Sequence, residues 1–130
     1  MKIGNDPFRI VCRAFKALWP AKDALVEFHP NIQPPPARMP ACNRPGEAPA
    51  GCTTWSQPGA LPLVSIAMDI QVCDAVEVLL HELAHVAAGP AAGHGRKWRT
   101  CHERLSEKFN DLVERDARRL GRGLVLVRRA

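Results

Sequence analysis

Residues 78–98 read VLLHELAHVAAGPAAGHGRKW, and the organisation of the chain follows from how this stretch folds. Val76, Leu79, Leu80, Leu83, Val86 and Ala87 recur at helical spacing, so a helix is expected from a cap at Asp74 to about Ala88. Gly89-Pro90 stops it. A turn containing Ala91, Ala92 and Gly93 follows, and a last long helix starts near His94 or Gly95. Its apolar side is marked by Trp98, Cys101, Leu105, Phe109, Leu112 and Leu120, and Gly121 and Gly123 end it.

Within the first of these helices stands His81-Glu82-Leu83-Ala84-His85, on what reads as the polar edge of an amphipathic helix. Histidines at i and i+4 leave one side of a helix one turn apart, which suits two ligands of a tetrahedral zinc. Glu82 lies about 100° round the helix from His81, so it is placed beside the metal and not on it. There it can take a proton from water as the water attacks a carbonyl. A third ligand is needed. In the metzincin pattern a glycine and a histidine follow at fixed steps, and Ala88 and Ala91 occupy those two places here. His94, just beyond the helix stop, is the expected third ligand, with His102 and Glu103 as rivals two turns deeper. His29, before Pro30, reads as structural or exposed.

Upstream, Phe8, Val11, Cys12, Phe15, Leu18 and Trp19 form a stripe that predicts a helix over 7–19. Asn5 or Asp6 can cap it, Pro7 suits its first turn and Pro20 ends it. Short strands are expected at 24–28 and 52–56. At 63–70, Val64, Ile66, Met68 and Ile70 alternate with Ser65, Ala67 and Asp69 to give a half-buried strand. That strand is expected to offer an edge beside the metal cleft. Between the first two strands, residues 30–49 are crowded with proline, including Pro34, Pro35 and Pro36, and read as a long loop.

The chain's 130 residues fit one domain spanning 1–130, and an apolar content of 46% supports a core. No apolar run approaches the roughly 20 residues of a membrane span, and the N-terminus lacks a secretory apolar stretch. The expectation is a cytoplasmic protein with no membrane partner. Five cysteines without C-x-x-C spacing argue against a disulfide framework or a thiolate ribbon, and suggest reduced side chains packed as small apolar groups. The net charge of +5 gathers late, at Arg115, Arg118, Arg119, Arg122, Arg128 and Arg129. A basic C-terminal helix of this kind can attract nucleic acid.

The segment at 78–98 resembles the active-site region of the SprT-like zinc metallopeptidases, related in pattern to the Spartan and WLM proteases. The resemblance rests on His81-Glu82-Leu83-Ala84-His85 and on His94-Gly95-Arg96-Lys97-Trp98, and extends over about residues 62–105. It implies an α+β, zincin-like minimal metallopeptidase domain, a small sheet with the metal site between two helices. It also implies one Zn2+ per chain on His81, His85 and His94, Glu82 as catalytic base, and Trp98 as the packed aromatic that anchors the second helix. The expected function is zinc-dependent hydrolysis of protein or peptide substrates. The alternatives are a DNA-associated protease of the crosslink-repair type and a zinc-stabilised binding or assembly module, for example of a phage.

Overall fold

Asp6 opens the first helix by accepting hydrogen bonds from the Phe8 and Arg9 amides at 3.0 and 3.3 Å. Pro7 occupies the first turn, where its missing N–H costs nothing. The computed structural model describes residues 6–30 and 50–120. Within them lie α1 (Pro7–Leu18), β1 (Leu25–His29), β2 (Gly51–Thr54), β3 (Leu63–Ala67), α2 (Val72–Ala88) and α3 (Arg96–Leu120). The proline-rich 31–49, the helix stop at Gly121 and Gly123 and the tail at 124–127 lie outside the described residues.

The protein is a small α+β structure. β3 occupies the centre of the sheet, parallel to β1 through Leu25↔Leu63 and antiparallel to β2 through Thr53↔Val64. This corrects the expectation that β3 presents an edge, because both of its sides are paired. β3 also ends at Ala67, short of the expected Ile70. Met68 is 60% exposed, because the chain must turn there to enter α2 at Val72. Val64 and Ile66 keep their expected inward positions and are fully buried.

α2 starts earlier than expected. Gln71 holds the cap position without a side-chain hydrogen bond, and Asp74 instead sits in the first turn, where its charge favours the helix dipole. The polar edge of the helix is exposed at Asp74 and Glu77 and half-buried at His81, whereas every residue from Glu82 to Ala88 is buried. The sheet, α1 and α3 all pack around the helix, and Ala75, Leu79, Leu80, Leu83, Ala84 and Val86 share one core with Val11, Phe15, Val64, Ile66, Leu105 and Phe109. On α1 the buried residues include Ile10, Val11, Ala14 and Phe15, whereas Cys12 is turned outward. Among the described cysteines only Cys101 is buried; Cys12 and Cys73 are exposed, against the expectation of packed thiols. No described helix is long and apolar enough to cross a membrane.

Gly89 ends α2 with its amide bonded to the His85 carbonyl at 2.9 Å. Its φ of 95° and ψ of 163° lie in a region open essentially to glycine alone. Lys22 donates to the Ala87 carbonyl at 2.7 Å, satisfying another free end of the helix. The chain then turns through Gly93, at φ 53°, and α3 leaves from Arg96 across α2.

Candidate metal centre

His81 and His85 leave α2 one turn apart, and the Gly89–Gly93 turn returns the chain so that His94 meets them. The three Nε2 atoms form a triangle with sides of 3.3 Å (His81–His85), 3.0 Å (His85–His94) and 3.0 Å (His81–His94). Three neutral imidazole nitrogens cannot all satisfy one another at such distances. Each has either one N–H or one lone pair, so at least one side of the triangle must oppose two donors or two acceptors. A shared cation resolves the conflict. Tetrahedral zinc with Zn–N bonds of about 2.0–2.1 Å holds nitrogen ligands about 3.3–3.4 Å apart, close to the sides observed. These three residues could therefore hold a metal ion.

The rivals for the third position fall elsewhere. The His102 ring stacks on Trp98 with centroids 4.9 Å apart and planes 15° apart, and Glu103 is exposed. His29 ends β1, and the metal-holding group among the described residues is His81, His85 and His94. Trp98 packs against His81, His85 and His94 at centroid distances of 4.7, 5.4 and 4.8 Å. Its indole N–H donates to the His81 carbonyl at 3.2 Å, which fastens α3 to α2 at the site. The packing role that the resemblance implied for Trp98 is thus present in the contacts.

Electrostatics follow from burial. Desolvation, with the neighbouring His85 and His94 adding to it, lowers the His81 pKa to about 3. His85 is lowered to about 4 by burial and then by His94, and burial lowers His94 as well. All three rings are held neutral, the form that binds a metal.

Glu82 is not a solvated side chain but a buried one, 3% exposed. Burial raises its pKa to about 7, against a lowering by the hydrogen bond from Thr53. The Thr53 hydroxyl donates to Glu82 Oε2 at 2.5 Å. A cleft of about 340 Å³ runs past this carboxylate and is lined by Gly51, Asp74, Glu77, Val78, His81 and Glu82. The start of β2, at Gly51, therefore borders the cleft, a place expected of β3. Thr53 and Gly51 carried no signal in the sequence, because their partners stand about thirty residues away on another element. The late basic cluster is partly neutralised: Arg118 pairs with Glu114, Arg119 with Asp116, and Arg13 of α1 also reaches Asp116. Arg122, Arg128 and Arg129 lie outside the described residues.

No family model, no curated protein and no solved structure matches this chain. The site is therefore read from its own geometry. His81, one of three histidines that could hold a metal, lines one cleft with the buried Glu82 carboxylate, whose pKa burial raises toward neutrality in the metal-free protein, a combination suited to acid–base chemistry on water beside a metal.

Proposed function

We propose that this protein is a zinc-dependent metallopeptidase of zincin-like, SprT-like type, with His81, His85 and His94 holding the metal and Glu82 acting as general base. The observation that carries the reading is that the buried Glu82 carboxylate lines one cleft with His81, a member of the three-histidine group. Structural zinc sites close four positions with protein ligands, whereas catalytic ones use three and keep one open. Three is the number gathered here among the described residues.

Zinc in that position would supply a Lewis acid that acidifies water and polarises the scissile carbonyl. Glu82 takes the proton of the attacking water and returns it to the leaving amine. Burial, which raises the Glu82 pKa to about 7 in the metal-free protein, makes this carboxylate a stronger base than a solvated one. The burial of His85 and the partial burial of His81 and His94 keep the rings unprotonated. β2, the sheet edge beside the cleft among the described residues, offers backbone groups to an extended peptide.

The test compares wild type with Glu82→Gln on unfolded casein, with zinc measured in both. Zinc content and folding should survive the substitution, and cleavage should fall by at least about 100-fold. Equal cleavage by both proteins would remove Glu82 as the base. A zinc-loaded wild type that cleaves nothing would favour the alternative of a zinc-stabilised binding module.

A further inference from the structure

The proposed chemistry needs the Glu82 carboxylate in one orientation, and nothing on α2 provides it. The support comes from β2. Thr53 is 3% exposed and stands opposite the fully buried Val64, a place that would accept valine as readily on packing grounds. A hydroxyl buried there is costly unless it is bonded. It has one proton and two acceptors in reach, Glu82 Oε2 at 2.5 Å and the Glu82 carbonyl at 3.3 Å. The shorter, charge-assisted bond prevails.

Two residues back on the same strand face, Gly51 permits the approach. A Cβ there would stand 2.4 Å from Val78 Cγ1 and 3.2 Å from both Glu82 Cγ and Oε1. The inner face of β2 is thus shaped around one carboxylate. Oε2 is tied to Thr53, while Oε1 lies on the side of Gly51, which lines the cleft with His81.

We infer that Thr53 is the positioning residue of Glu82, its hydroxyl holding Oε2 so that Oε1 is presented to the cleft; this rests on Glu82 being the base. Thr53 does not touch the reacting atoms and acts through the carboxylate alone. A purely structural threonine would instead be replaced without loss by an isosteric valine.

The experiment uses zinc-loaded full chains of wild type, Thr53→Val, Thr53→Ser and Glu82→Gln. Thr53→Val should retain zinc and lose about 10–100-fold in kcat on casein-derived peptide, the scale of lost support to a site residue, with KM nearly unchanged. Thr53→Ser should recover most of that loss, since it restores the hydroxyl and not the methyl. Crystal structures of the same proteins give a readout that needs no turnover. The Glu82 carboxylate should keep its place in wild type and Thr53→Ser and leave it in Thr53→Val. If Thr53→Val does not fold, Thr53→Ala makes the same comparison with Thr53→Ser. Wild-type kcat or an unmoved carboxylate in the hydroxyl-free variant overturns the inference, even where Glu82→Gln is inactive. An active Glu82→Gln removes the base itself and is a separate failure.

Discussion

Gly51→Ala should loosen the whole wall on which Glu82 rests. The added Cβ would fall 2.4 Å from Val78 Cγ1, whereas ordinary carbon contacts lie at about 3.5–4.0 Å, so about 1 Å of separation must be found. Val78 cannot turn aside cheaply, since a β-branched side chain in a helix has one favoured χ1. The strand must therefore withdraw from α2. Overpacking of this kind costs about 1–3 kcal/mol, or roughly 3–5 °C in Tm per kcal/mol for a chain of this size. The same withdrawal would stretch the Thr53–Glu82 bond from 2.5 Å to about 3.5 Å, beyond useful geometry. Misplacing a reacting group by about 1 Å can cost 100-fold in rate. Urea unfolding would measure the stability loss as a shift in midpoint at constant slope; zinc content should stay at the wild-type level while casein cleavage falls. Val78→Ala removes the clashing carbon, so the double variant should be more stable than the two single losses added together. A Gly51→Ala protein within about 0.5 kcal/mol of wild type, or additive single and double variants, would refute the reasoning.

Further outcomes concern the metal and pH. His94→Ala should weaken zinc binding far more than His102→Ala in a competition titration with a chelator, because His94 Nε2 lies 3.0 Å from both partner nitrogens whereas His102 stacks on Trp98; the reverse ranking would displace His94 from the site. In the metal-free protein, the native pKa values of His81 and His85, about 3 and 4, lie below the ordinary histidine value near 6.5. Their contribution to stability is present above about pH 6.5 and is lost as pH falls through about 4 and 3. Glu82 acts in the opposite sense: raised to about 7, its contribution is present below the ordinary carboxylate value and is lost as pH rises through about 7. Metal-free wild type should thus lose Tm on acidification below about pH 6.5, and metal-free Glu82→Gln should lose it more steeply. Parallel curves for the two proteins would mean that the Glu82 proton does not offset the histidines.

The parts of the molecule that were legible in the sequence are those encoded locally. The body of α2 follows from periodicity and its C-terminal end from Gly89-Pro90, and the i, i+4 spacing of His81 and His85 puts both rings on one face as soon as the helix forms. His94 was reachable because it lies one short turn beyond. What was hidden depends on contacts between distant segments. A strand's place in a sheet is settled by its partners, so the central position of β3 and the cleft-side position of β2 had no local mark. The sequence placed Glu82 beside the metal on the polar edge of α2 and carried no sign that its carboxylate would be buried. It is buried because β2 lies against that face of α2, at a distance that only a glycine at position 51 allows. The expected cap at Asp74 failed for a smaller reason: helix entry was governed by the end of β3 at Ala67, which brought the first turn forward to Val72.

The fastening of His81 by the Trp98 indole has a consequence for how the two halves of the site depend on one another. Every residue that could hold a cation among the described residues is carried by one continuous helix–turn–helix segment, from His81 to the indole that braces it. The contacts that seat the Glu82 carboxylate, the proposed base, come from β2, a strand contributed by another part of the chain. Under the proposed function, the grouping of the ligands and the seating of the Glu82 carboxylate would thus depend on separate stretches of sequence, although Glu82 itself stands beside His81 on α2. Damage to the sheet would leave a faithful metal carrier with no chemistry, while damage to the turn would leave a well-seated carboxylate with nothing beside it to act upon.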